Sequence, residues 1–206
     1  MLLRHGQTAW NASRRAQGHA DVELDDTGHE QAAAVAPHIA GLRPVSLWSS
    51  DLARARQTAA YVEKETGLVA TLDPRLREYD VGERAGLTMA EFAARFPAEH
   101  AQWLSGRYDV VAGAESTADV LARIVPACRE LVGSVGPGET AVAVTHGASL
   151  KVALVALLGW PPALGDSLRV LDNCAVAVLA EGAPGAPMRL VAYNAAPDFA
   201  SFAGGG

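Results

Sequence analysis

The sequence predicts an α/β protein, a three-layer α/β/α arrangement around a largely parallel central sheet. Three observations predict it. Short apolar, β-branched runs alternate with longer helical patterns along the chain. Capping residues stand at the openings of those helices. Half of the 206 residues are hydrophobic, enough to build a sizeable core in one domain.

The first strand is the short apolar start at Leu2 and Leu3, which runs into Arg4-His5-Gly6. A polar loop is expected from there to Asp26. Thr27 with Glu30 reads as a capping box ahead of an Ala-rich helix, and Pro37 inside it should kink the helix or end its first half. Val45 to Trp48 reads as a buried strand, with Ser49-Ser50-Asp51 as capping residues for a helix that carries Arg54 in its first turn. That helix should stop at Gly67.

Leu68 to Leu72 reads as a further short strand. Thr88 with Glu91 opens a small helix that ends before Pro97. Ser116 with Asp119 opens a longer one, interrupted by Pro126, that runs to about Gly133. Thr140 to Thr145 is a β-branched, apolar strand, and His146-Gly147 leads into a helix from Ser149 to Leu158. Strands from Cys174 to Ala180 and from Met188 to Tyr193 close the pattern across a Gly/Pro turn. The segment from Pro197 to Gly206 reads as a frayed tail. We read residues 1–206 as a single domain, with 84–116 as an excursion that covers a pocket.

Composition narrows the function classes. Net charge is −6, and the 17 basic residues are spread along the chain without a Lys/Arg cluster. Neither nucleic acid nor an anionic membrane surface is an expected partner. Arg4 and His5 interrupt the N-terminus before an apolar run develops, so no signal peptide is expected, and Val152 to Trp160 is too short to span a bilayer. Cys128 and Cys174 read as reduced core thiols, and the expected setting is cytoplasmic. A homodimer is compatible with all of this.

Three strands end in chemically suggestive company: Arg4-His5-Gly6, the helix bearing Arg54, and His146-Gly147. In an open parallel sheet the carboxyl ends of the strands share one edge, where ligands bind. Two histidines and two arginines are therefore expected to converge. Two guanidiniums offer planar forks of donors suited to phosphate oxygens, and helix N-termini add backbone N–H groups. A neutral imidazole there can attack phosphorus if its other nitrogen is held by a hydrogen bond, with a backbone carbonyl as acceptor and Gly6 allowing a tight turn. A metal site on His5 and His146 is the rival reading. It is disfavoured because the arginines repel a cation and no Asp, Glu or Cys set completes a ligand shell. No cofactor is expected.

These residues carry a resemblance. Leu3-Arg4-His5-Gly6-Gln7-Thr8 with Trp10-Asn11 resembles the signature of the histidine phosphatase superfamily, the phosphoglycerate mutase-like family. Ordered blocks follow: Arg15, Gln17-Gly18 and Asp21; Leu24, Thr27-Gly28 and Gln31-Ala32; Ser49-Ser50-Asp51-Leu52 through Arg54-Ala55 to Gln57-Thr58-Ala59; Leu76-Arg77-Glu78 with Gly82; Gly86-Leu87-Thr88; Glu115-Ser116; and Thr145-His146-Gly147. The resemblance implies a phosphoglycerate mutase-like fold with His5 as the nucleophile that becomes phosphorylated. It implies that Arg4, Arg54 and His146 clamp phosphate oxygens, with Asn11 as a further contact and Gln17-Gly18 at the entrance. Glu78 resembles the family's proton donor, a role that suits a carboxyl whose charged form a bound phosphate dianion disfavours.

Arg84 and Ala85 depart from the pattern, since many relatives carry a Trp and an acidic residue there. In the excursion, Arg84 or Arg107 is expected to meet a carboxylate or second anion, beside Trp103 and Tyr108. His19 and His100 are candidates for the pocket edge, whereas His29 and His38 read as ordinary helix residues. Mutases of the family share a longer insertion after the acid and an Arg-His-Tyr-Gly run. Here Tyr79-Asp80-Val81-Gly82 follows Glu78, and the stretch to His146 is short. The resemblance therefore implies a metal-independent phosphomonoester hydrolase acting on a small phosphorylated metabolite, either glucosyl-3-phosphoglycerate or a broad range. A cofactor-dependent mutase is the alternative, and a non-catalytic protein that binds phosphorylated ligands or a partner is a second.

Overall fold

The computed structural model describes residues 1–182 and 187–195. The expected Gly/Pro turn between the last two strands and the tail from Pro197 onwards lie wholly or partly outside the described residues. Among the described residues six strands form one sheet in the order β3-β2-β4-β1-β5-β6. They are β1 (Leu2–Arg4), β2 (Ser46–Ser49), β3 (Thr71–Leu72), β4 (Ala141–Thr145), β5 (Val176–Ala180) and β6 (Arg189–Ala195). The four from β3 to β1 run parallel, while β5 is antiparallel to β1 and to β6.

Among the described residues seven α-helices accompany the sheet: α1 (Ala9–Ala12), α2 (Asp26–Gly41), α3 (Ala53–Thr66), α4 (Met89–Arg95), α5 (Pro97–Leu104), α6 (Thr117–Gly133) and α7 (Gly147–Leu157). Alternation along each strand divides the core into two layers. Leu3, Val142 and Val144 join the residues of α2 and α3 on one face. Leu2, Ala141 and Ala143 join α6 and α7 on the other. The central strand β4 is buried at all five positions, as expected of a parallel strand covered on both faces.

Several expected boundaries shift for identifiable reasons. Helix α2 is capped by Asp25, not Thr27, and Asp25 accepts from Gly28 N at 2.8 Å. Asp25 also donates its own N–H to Gln7 O at 3.0 Å, which ties the cap to the loop after β1. Helix α3 opens at Ala53 behind Leu52, without a capping side chain on its own N-cap. The expected cap residues are engaged elsewhere. Ser50 contacts His146, Asp51 pairs with Arg77, and Asp21 from another loop takes Ala53 N at 2.5 Å.

The capping boxes at Thr88/Glu91 and Ser116/Asp119 form as expected. Neither Pro37 nor Pro126 ends its helix. Both prolines are exposed, where the carbonyl that loses its partner can be hydrated instead. Two short helices, α1 and α5, arise where a loop and no element were expected. Helix α1 is held by a Thr8/Asn11 capping box, and α5 starts with Pro97 in its first turn.

Candidate active site

The parallel register brings the strand ends together. Arg4 stands opposite Thr145 and Ser49 opposite Val144. The next residues, His5, His146 and Ser50, therefore emerge side by side at one edge. His5 N donates to Thr145 O and Ser50 N to Val144 O, at 3.0 and 2.9 Å. The rings of His5 and His146 lie 5.1 Å apart, centre to centre.

Their tautomers follow from their partners. His5 Nδ1 lies 2.7 Å from Gly6 O. A carbonyl only accepts, so Nδ1 carries the proton and Nε2 the lone pair. Arg54 Nε–H points to that lone pair at 3.3 Å and to His146 Nδ1 at 3.2 Å. His146 Nε2 then donates to Ser50 Oγ at 2.8 Å. Burial first, and then the cationic Arg54 and Arg4, hold His5 well below the usual imidazole range. Burial and Arg54 do the same for His146. Both rings are neutral near pH 7.

Arg54 is fully buried. Its terminal nitrogens donate to Ala20 O and Gly18 O, each at 2.8 Å. A guanidinium has five N–H donors, so each terminal nitrogen keeps one more. Burial lowers Arg54 to about 10, and it stays cationic. Arg4 donates through Nη1 to Leu171 O, while its buried Nε has no partner. Gly147 makes room for it, because a Cβ there would sit 3.3 Å from Arg4 Nε. Gly6 also serves close approach, but its φ is not positive: a Cβ would lie 2.5 Å from Gly28 O, against the start of α2.

Glu78 occupies the N-terminus of α7. Its carboxylate accepts from Ala148 N at 2.9 Å, Ser149 N at 2.8 Å and Tyr79 N at 2.9 Å. The helix end that the sequence reading offered to phosphate is thus already taken by a carboxyl group, whose oxygens satisfy first-turn N–H groups. The loop bearing Glu78 is clamped from behind. Arg123, on α6, donates to the carbonyls of Arg75, Arg77 and Glu78 and pairs with Glu115 at 2.7 Å. Glu115 in turn accepts from Asp80 N at 2.8 Å.

One cavity of about 670 Å³ opens onto these groups, and Arg4, His5, Asn11, Gln17, Gly18, Arg54, Glu78 and Arg84 all line it. His146 stands behind Arg54 and does not line it. Of the residues expected near the entrance, Trp103 and Tyr108 line the cavity, whereas His19, His100 and Arg107 do not. His19 donates to Glu78 O at 2.8 Å, and His100 stacks edge-on against Phe92. Arg84 lies over the Trp103 ring at 4.9 Å and the Phe92 ring at 5.6 Å.

Sequence reasoning missed Ser50, Arg123 and Asn173 as parts of the site. Asn173 Nδ2 donates to His5 O at 3.0 Å and contacts Asn11 Oδ1 at 3.3 Å. Among the described residues no group of three or more His, Cys, Asp or Glu could hold a metal ion.

Comparison with known proteins gives this geometry a family. The family model of the histidine phosphatase superfamily (branch 1) matches residues 1–194. A glucosyl-3-phosphoglycerate phosphatase of Mycolicibacterium vanbaalenii is 36% identical over 98% of this chain and 96% of its own. A probable phosphoglycerate mutase of Cronobacter sakazakii is 36% identical over 85% of this chain and 81% of its own. The solved structure of a mycobacterial glucosyl-3-phosphoglycerate phosphatase complexed with VO3 superposes with a TM-score of 0.86. It is 36% identical and covers 95% of this chain and 98% of that one. The chain belongs to the histidine phosphatase superfamily.

Proposed function

We propose that this member of the histidine phosphatase superfamily hydrolyses phosphomonoesters of small metabolites through a phosphohistidine on His5. The observation that carries the reading is the pairing of His5 with Arg4. A neutral imidazole with its lone pair on Nε2 faces a cavity that also receives an unpartnered, buried Arg4 Nε–H. A buried donor left without a partner is costly, and a phosphate oxygen would satisfy it.

In the first step the Nε2 lone pair attacks phosphorus and the P–O bond to the leaving alcohol breaks. Glu78, having taken up a proton from solvent before the transfer, gives it to that oxygen. To do so the carboxyl releases at least one of its three backbone contacts. Water then attacks the phosphohistidine, Glu78 takes a proton from it, the P–N bond breaks and phosphate leaves. Arg4 and the remaining N–H groups of Arg54 hold the phosphoryl oxygens, with Asn11 as a further polar contact. His146 acts from behind Arg54, fixing the guanidinium through Nδ1.

Gln17 and Gly18 border the entrance, and residues 84–116 cover the leaving group. Arg84 has no carboxylate partner among the described residues and offers its edge to an anionic group of the substrate. The similar proteins make glucosyl-3-phosphoglycerate the first compound to assay, beside a broad panel of monoesters. Two free, buried thiols, Cys128 and Cys174, accord with a cytoplasmic setting. Among the described residues no helix is long and apolar enough to cross a membrane.

The guanidiniums supply the positive charge that metal ions supply elsewhere, so turnover should proceed in EDTA. Loss of p-nitrophenyl phosphate hydrolysis in EDTA, restored by a divalent ion, contradicts this. The probable mutase among the relatives supports a second reading. Feeding 3-phosphoglycerate separates the two: free phosphate marks the hydrolase and 2-phosphoglycerate the mutase.

A further inference from the structure

Arg54 and Glu78 stand on different elements, yet one three-residue segment touches both. The carbonyls of Gly18 and Ala20 accept from the two terminal nitrogens of Arg54, each at 2.8 Å. Between them, the His19 side chain reaches the Glu78 loop. Its Nε2 lies 2.8 Å from Glu78 O, and because a carbonyl only accepts, Nε2 carries the proton. Its Nδ1 lies 3.5 Å from an oxygen of Asp80, and Glu115 stands 3.9 Å from Nε2.

The segment is itself held in place. Ala20 N donates to Gln17 O at 3.0 Å, which closes a turn, and Asp21 takes Ala53 N at the start of α3. Gly18 has a φ of +52°, and a Cβ there would sit 2.9 Å from Val81 N. The two loops are therefore in contact along their backbones. Glu78 O accepts a second time, from Arg123 Nη2 at 2.8 Å. Two donors on one carbonyl pin the Glu78 backbone, and the carboxyl swings from that point when it exchanges its own contacts.

Building on the reading of Glu78 as the proton donor, we propose that His19 is a positioning residue that ties the acid to the arginine holding the phosphoryl group. His19 does not line the cavity, so it acts through Glu78 and not on the substrate. Its loss leaves Arg123 on the carbonyl but cuts the side-chain link to the segment that carries Arg54. A misplacement of about 1 Å can cost ~100-fold. With Arg123 still in place, the cost should be roughly tenfold wherever the leaving oxygen needs a proton.

The test is kcat/KM, which reports the transfer to His5, along a series from p-nitrophenyl through phenyl to ethyl phosphate. His19→Leu should slow ethyl phosphate about tenfold and p-nitrophenyl phosphate by twofold or less, so the dependence on leaving-group acidity steepens. His19→Gln, whose amide nitrogen reaches about as far as Nε2, should recover most of the loss. In a Glu78→Gln background, His19→Leu should slow phenyl phosphate by twofold or less, because the group it positions is already inactive. Equal slowing along the series, no slowing at all, or a full further loss in the Glu78→Gln background overturns the proposal. In each of those cases a steepened series in Glu78→Gln alone leaves the proton-donor reading standing. If Glu78→Gln itself slows every ester equally, both fall together.

Discussion

The cradle around His5 and the loop around Glu78 face each other across one cavity, yet they are built on opposite principles. The cradle grows from strand ends in fixed register. His5, Ser50 and His146 are placed by β1, β2 and β4, and one buried Arg54 joins the two imidazoles. Glu78 lies in irregular chain between two short 3-10 segments. It is positioned by hydrogen bonds to its backbone and by the Arg123–Glu115 pair. Atoms that must not move are fixed by the sheet. The atom that must release a proton, and later take one back, hangs on contacts that can be exchanged.

The difference can be broken at either end. Arg54→Ala removes the donor shared by both imidazoles and frees the carbonyls of Gly18 and Ala20. We expect a loss of about a thousandfold or more in kcat/KM, as for a guanidinium that stabilises a transferring phosphoryl group. Arg54→Lys should rescue little, because a point charge cannot reproduce the fork. Full activity in Arg54→Lys would show that charge alone suffices.

Glu78→Gln should cost about a hundred- to ten-thousandfold for alkyl phosphates but tenfold or less for p-nitrophenyl phosphate, whose leaving oxygen needs little protonation. Equal slowing of both would remove the acid role. Arg123→Gln acts one step further away. Glu115 loses its partner and the Glu78 loop loses three carbonyl contacts, which should cost about 1–3 kcal/mol of stability for a partly buried pair. Alkyl phosphates should slow by roughly tenfold, p-nitrophenyl phosphate should be nearly unaffected, and Arg123→Lys should recover part of the loss. A uniform loss across substrates would make the residue merely structural.

The smallest effect is on pH dependence. In the fold, both imidazoles lie well below their ordinary value of 6.5. The unfolded chain therefore takes up protons first as pH falls. Stability should decline from about pH 6.5 down to the depressed folded values, by up to ~1.4 kcal/mol per pH unit for each ring. Urea midpoints measured between pH 7.5 and 5.5 should fall more steeply for wild type than for a variant in which both histidines are Gln. Parallel curves would contradict the burial argument.

The cradle was largely legible in the sequence because its logic is topological. Parallel strands that end in His-Gly must deliver those histidines to one edge, and an arginine in the first turn of the helix after β2 joins them. Short-range pairing choices were not legible. Ser50 and Asp51 have the chemistry of caps, but a histidine and an arginine from remote segments engage them first. Thr27 was displaced as a cap by Asp25 because the loop after β1 holds Asp25 in place. Pro37 and Pro126 read as breaks, since a sequence does not say which helix face meets water. Arg123 gave no signal, because three of its partners are carbonyls, which every residue possesses, and nothing in the sequence singles out Glu115 as the fourth.

The most direct test asks whether phosphate becomes attached to His5. Brief mixing with a ³²P-labelled monoester, acid-free quenching and peptide mapping should place an acid-labile, base-stable phosphoryl group on the peptide bearing His5. The label and turnover should disappear together in His5→Ala. Label on another residue, or hydrolysis that persists in His5→Ala, would contradict the account.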